Sequence, residues 1–155
     1  MTNIEPVTDS ESLSAKREIE DLHAFFTEWY NGTIANTDDI YQRFSRVMDE
    51  NFHMITPNAD VLDREKVLRF VREGWGQFNK QDEFAIEIRN FRVMRRISQN
   101  TILVLYEEWQ TEPGRLDTEG RITLRGRLSA AGLRADERMV NGWAWLFVHE
   151  VWLPE

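Results

Sequence analysis

The chain has 155 residues, enough for one domain with a sizeable core and too few for two. Its 19 Lys and Arg against 27 Asp and Glu leave a net charge of −8, which argues against a surface built to neutralise nucleic-acid or lipid phosphates. The absence of cysteine excludes disulfides, thiolate nucleophiles and cysteine-ligated metal centres.

No apolar run reaches the length of a membrane span, and no signal-like block opens the chain, so a soluble, cytoplasmic domain is expected. Residues 1–13 are polar and acidic and read as a flexible N-terminal arm. A first helix is expected from about Ser14 to Tyr30. There Ile19, Leu22, His23, Phe26, Trp29 and Tyr30 recur at three- and four-residue intervals as one apolar stripe, and Asn31-Gly32 closes it. A second helix starts near Thr37, with Asp38 and Asp39 in its first turn and Ile40, Phe44, Val47 and Met48 on its buried side. FHMI and ADVL are two short extended runs around a Thr56-Pro57-Asn58 turn. Asp63 caps a third helix whose Val67, Leu68, Val71 and Trp75 share a face.

From Glu83 the period changes to two. Phe84, Ile86 and Ile88 alternate with Ala85, Glu87 and Arg89, and the pattern continues to a turn at Gln99-Asn100. TILVLYEEWQT is a second strand, ended by a Pro113-Gly114 loop. ITLRGRLSAA is a third, ADERMVNG a loop, and GWAWLFVHEVWL the last strand. Helices followed by neighbouring strands indicate α+β with an antiparallel sheet. Ile102, Val104 and Tyr106 lie on one side of their strand and Leu103, Leu105 and Trp109 on the other. With both faces apolar, one packs on the helices and the other is expected to meet a second copy of the chain.

The order of these elements resembles the nuclear transport factor two-like, or SnoaL-like, superfamily of cystatin-like α+β cones. The resemblance rests on FHMITPNADVLDREKVLRFVREGW as hairpin plus third helix, on GWAWLFVHEVWLP as final strand, and on YEEW and RLS between them. It covers residues 14–155, which form a single domain on this reading, and is nearest to uncharacterised members and to the association domain of calcium/calmodulin-dependent kinases. It implies three helices packed on a strongly curved sheet, a pocket, and a homodimer through the convex sheet face. It does not imply one function.

Site residues follow from parity combined with the resemblance. Alternation puts Trp145, Phe147, His149 and Val151 on one face of the last strand and Leu146, Val148, Glu150 and Trp152 on the other. The family pattern implies that the His149 face looks inward. The kinase association domain implies that Tyr106, Glu108 and Arg127 look inward too, with Trp75 at the mouth. His149 is then either a general acid–base or a core histidine held by a hydrogen bond. Glu108 and Arg127 are either a base and a fork for a ligand carboxylate or a structural ion pair. Tyr106 and Tyr30 either donate to a ligand oxygen or belong to the core. Trp109, Trp143, Trp145 and Trp152 are either a stacking platform or core and interface, with Trp145 the one expected to touch a ligand. His23 and His53 lack the spacing of a metal site, no cofactor motif is present, and the few paired arginines do not make a nucleic-acid patch.

The expectation is a cofactor-free, metal-free pocket protein for a small organic acid or aromatic compound. Arg127 would anchor the ligand, Tyr106 and His149 would orient it, and Trp145, Trp75, Tyr30 and Phe147 would line the walls. Two alternatives stand beside it. One is an isomerase, dehydratase or cyclase using His149 or Glu108 as acid–base, and the other is a dimeric assembly domain with an incidental cavity.

Overall fold

The computed structural model describes residues 4–78 and 84–154. Helix α1 (Asp9–Asn31), helix α2 (Asp38–Ser45) and strand β1 (Met48–Ile55) come first. Strand β2 (Val61–Asp63), helix α3 (Arg64–Glu73), and strands β3 (Ile86–Ser98), β4 (Thr101–Leu116), β5 (Ile122–Ala135) and β6 (Trp143–Trp152) follow. The six strands make one sheet in the order β2-β1-β6-β5-β4-β3. Three helices on a curved sheet is the α+β cone that the residues indicate. The sheet is mixed rather than wholly antiparallel, because β1 runs parallel to β6 while every other pair is antiparallel.

The helix caps are local and follow from residue type. Thr37 accepts the Ile40 N–H at 3.2 Å, and Asp63 accepts the Lys66 N–H at 2.9 Å. Helix α1 ends at Gly32, whose φ of 70° suits a residue without Cβ. Its start corrects the expected arm. Thr8 and Glu11 form a reciprocal capping box, so the helix begins five residues before Ser14. Arg96 of β3 then donates to the Glu5 carbonyl at 2.8 Å and to the Glu11 carboxylate at 2.5 Å, tying the segment to the sheet. Residues 1–3 of the arm, and Glu83 where the first long strand was expected to begin, lie outside the described residues.

The core lies between α1 and the sheet, where Ile19, Leu22, Trp29, Ile102, Val104, Tyr106, Leu133 and Trp145 are almost completely buried. Each such side chain stabilises the fold by roughly 1.5–3 kcal/mol. Three expectations about elements change. Ile40 is exposed, and Met48 opens β1 instead of closing the second helix. Pro113-Gly114 falls inside β4, at an irregularity in its pairing with β5, and the reversal comes later, where Asp117 accepts from Gly120 and donates to Arg121. Pro is tolerated there because the ladder is already interrupted.

The third change governs the site. Gly132 pairs with Phe147 but Leu133 pairs with Trp145, so Leu146 is an extra residue in β6. This bulge puts Trp145 and Val148, three residues apart, on the same inner face. Simple alternation therefore fails beyond Trp145. Val148, Glu150 and Trp152 face inward, and Phe147, His149 and Val151 face out, which inverts the predicted assignment. Two anchors hold the bulge. The Trp145 indole donates to the buried Glu18 carboxylate at 2.8 Å, and the Phe147 ring lies over Gly132, where a Cβ would come within 2.3 Å of it.

Candidate active site

The helices and the inner sheet face enclose a cavity of about 610 Å³, apolar on its walls and charged at its floor. The walls include Leu22, Phe26 and Tyr30 of α1, Phe52 and Met54 of β1, and Trp145 and Val148 of β6. The floor takes one charged side chain from each of four elements: His23 from α1, Glu108 from β4, Arg127 from β5 and Glu150 from β6.

His23 was read from sequence as part of an apolar stripe and set aside as a metal ligand, yet it organises the floor. Its Nδ1 lies 2.7 Å from the Ile19 carbonyl, one turn back, and its Nε2 lies 2.6 Å from Glu108 Oε1. A carbonyl oxygen only accepts, so Nδ1 carries a proton. The carboxylate likewise draws a proton onto Nε2, which makes the ring an imidazolium. Burial works against that charge, but Glu108 outweighs it and raises the His23 pKa. Both ring nitrogens are thereby used, and His23 has none left for a ligand. It holds Glu108 in place.

Glu108 is anchored at both oxygens, since Gln110 Nε2 donates to Oε2. Burial pushes its pKa up, but His23 and Arg127 override that and keep the carboxyl well below the usual range, at about 2. Arg127 is held more loosely. Its Nε is buried, lies 3.5 Å from Glu108 Oε2 and is not aligned to bond it, so the two groups pair as charges only. Its Nη1 lies 3.4 and 3.5 Å from the two oxygens of Glu150. Its Cζ lies over the Trp152 ring, 5.0 Å from the centroid. Glu150 is only 4% exposed and receives one further contact, the Ser129 hydroxyl at 3.3 Å. Burial, together with the neighbouring Glu108, raises its pKa to about 7. Tyr106 is buried beside this group and Tyr30 lies above it. Both phenols are pushed up, mainly by burial.

The structure thus brings together Glu108, Arg127, Tyr106, Tyr30 and Trp145 as expected. It removes three predicted residues. His149 sits on the outer face with its Nε2 3.0 Å from the Nε2 of His53, and the bulge carries Phe147 to the same side. Trp75 is turned away from the cavity, donating to the Ile34 carbonyl at 2.9 Å beside Gly32. Of the other tryptophans, Trp152 lines the cavity, Trp143 is buried against Ser14, and Trp109 packs over Gly126. His23 and Glu150 were not foreseen as site residues. A histidine on a helix stripe that must face the strand carrying Glu108 was the available signal for the first, and simple alternation concealed the second. Among the described residues, no group of three His, Asp or Glu side chains is placed to hold a metal.

The fold has close counterparts among solved structures. An NTF-2-like protein of unknown function from Pseudomonas aeruginosa matches 91% of this chain and 99% of its own at a TM-score of 0.72 and 23% identity. The association domain of CaMKII from C. elegans matches 93% and 99% at 0.59 and 16% identity. A hexachlorocyclohexane dehydrochlorinase, LinA-type3, from Novosphingobium barchaimii matches 95% and 92% at 0.59 and 11% identity. No protein-family model matches the chain, and no curated protein matches it in sequence.

Proposed function

On the premise that the chain has the NTF2-like α+β cone fold, we propose that it is a small-molecule-binding pocket protein whose ligand is a small organic acid with an apolar or aromatic body. The observation that carries this reading is the apolar cavity of about 610 Å³ that ends at the Arg127 guanidinium, whose buried Nε has no hydrogen-bond partner. Its volume falls in the range of small-molecule sites, which are mostly apolar with a few convergent polar groups. The apolar body of a ligand fits between Phe26, Tyr30 and Trp145. Its acid group fits Arg127, because a guanidinium suits planar recognition of a carboxylate.

An enzymatic reading stands second and is favoured by one observation. Glu150 faces the cavity with a pKa near neutrality, which suits a group that both takes and gives a proton. Glu108, committed to His23, is a weaker base, and His149 is outside the cavity. Self-association is part of the proposal. Leu103, Leu105, Leu128 and Phe147 leave a half-buried apolar outer face, and structural neighbours include an association domain.

Isothermal titration with arylalkanoic acids and their primary amides tests the pocket. An acid should bind, and Arg127→Gln should weaken it by roughly tenfold or more, as loss of a charge-assisted hydrogen bond does. An unchanged affinity in Arg127→Gln would remove Arg127 as the anchor.

A further inference from the structure

Of the four charged groups on the floor, three cannot change their proton count without breaking an anchor. His23 donates from both ring nitrogens, Glu108 accepts at both oxygens, and Arg127 is a guanidinium. Glu150 differs. Its contacts to Arg127 are at 3.4 and 3.5 Å and its contact to Ser129 is at 3.3 Å, all long for charge-assisted bonds. Arg127 lies between Trp152, whose ring centroid is 5.0 Å from its Cζ, and the Glu150 carboxyl, and all three line the cavity, so a ligand that reaches the guanidinium comes next to Glu150. A ligand carboxylate there makes a second anion on one guanidinium, in a place too buried for water to screen the repulsion.

We infer that an acidic ligand enters this floor together with one proton, and that Glu150 carries it. The inference rests on the pocket reading above and adds its regulation. The ligand carboxylate bonds Arg127, the neutral Glu150 carboxyl donates to the ligand, and solvent supplies one proton per ligand bound. No covalent bond changes. Two carboxyl groups sharing one proton is the ordinary outcome when like charges are forced together. The other groups facing Glu150 are compatible with this. His23 approaches from α1, Tyr106 and Glu108 from β4, and Arg127 and Ser129 from β5, while Asp60 of the β1–β2 turn lies at the exposed rim. The raised proton affinity of Glu150 in the empty cavity points the same way.

The test is calorimetry on the full chain with 3-phenylpropanoate and, as uncharged control, 3-phenylpropanamide. At about pH 8, titrations in two buffers of different ionisation enthalpy should report an uptake of about one proton per acid bound and none for the amide. Above about pH 7 the dissociation constant of the acid should rise about tenfold per pH unit. Glu150→Gln keeps a donor but has no charge to neutralise. It should flatten that slope and bind the acid more tightly than wild type at high pH. Zero proton uptake in wild type overturns the inference whether or not the variant folds, and so does a slope that persists in Glu150→Gln. Binding of the amide but not the acid overturns it while leaving the pocket in place. Binding of neither removes the pocket reading and this inference with it.

Discussion

The two sides of the sheet meet histidines of opposite character, one from helix α1 on the inner side and two from strands β1 and β6 on the outer. On the inner side, His23 meets Glu108 with no water between them and is held as a cation at both nitrogens. On the outer side, His53 and His149 face each other at 3.0 Å, which requires a proton on one Nε2 and a lone pair on the other. Partial burial and the neighbouring imidazole lower the His149 pKa. An imidazole opposite a buried carboxylate becomes a fixed charge. The same ring opposite another imidazole, as in His149, is disfavoured as a cation. Residue pattern named only His149 as an acid–base candidate, but surroundings make His23 an anchor and leave His149 without a ligand to act on.

The comparison breaks most easily on the inner side. His23→Ala leaves Glu108 buried without its cation and should cost about 3–5 kcal/mol, read as a lowered urea midpoint. Replacing both partners with leucine should recover much of that loss, because an apolar pair leaves no charge unpaired. Next in size is a pH effect. Glu150 binds its proton more tightly folded than unfolded, so its contribution is complete below about 4.5 and is lost as pH rises to about 7. Wild type should therefore lose stability of order 1–3 kcal/mol across that window, and Glu150→Gln should lose much less. Denaturation curves at the two ends of the window check this, and a steeper decline in the variant would reverse the sign. His23, also raised, adds a decline that begins above its ordinary pKa of 6.5. Thr8→Ala should cost about 1 kcal/mol through the lost cap, which distinguishes an ordered helix start from a loose arm. The smallest effect belongs to the outer face. His149→Ala should shift stability by less than about 0.5 kcal/mol and leave pocket affinity unchanged.

What the residues disclosed depended on the range of the interaction that decided each feature. The starts of α2 and α3 were legible because Thr37 and Asp63 each cap a helix within three residues. The inward set Tyr106, Glu108 and Arg127 was legible because β4 and β5 keep their register there. β6 was misread beyond Trp145 because WAWLFVHEVW alternates acceptably in either register. What sets the true one is non-local: Glu18, more than a hundred positions earlier, holds the Trp145 indole, and Gly132 makes room for Phe147. The parallel pairing of β1 with β6 was hidden for the same reason. His23 was undervalued because its partner sits on a strand 85 residues further along. Pro113-Gly114 misled because a turn composition can also occupy an interruption in a ladder.

The carboxylate of Glu18 is fully buried and is held by Arg43 at 2.9 Å, Trp145 at 2.8 Å and Asn141 at 3.1 Å. Arg43 follows closely in the chain, but Asn141 and Trp145 are among the last parts to be synthesised of the described segment. During translation, α1 therefore leaves the ribosome with an apolar stripe and two ionisable groups, Glu18 and His23, whose strand-borne partners do not yet exist. Until those strands emerge, the stripe stays exposed and prone to non-native association. Pairings this distant in sequence also predict slow closure of the sheet, with the β1–β6 seam forming late.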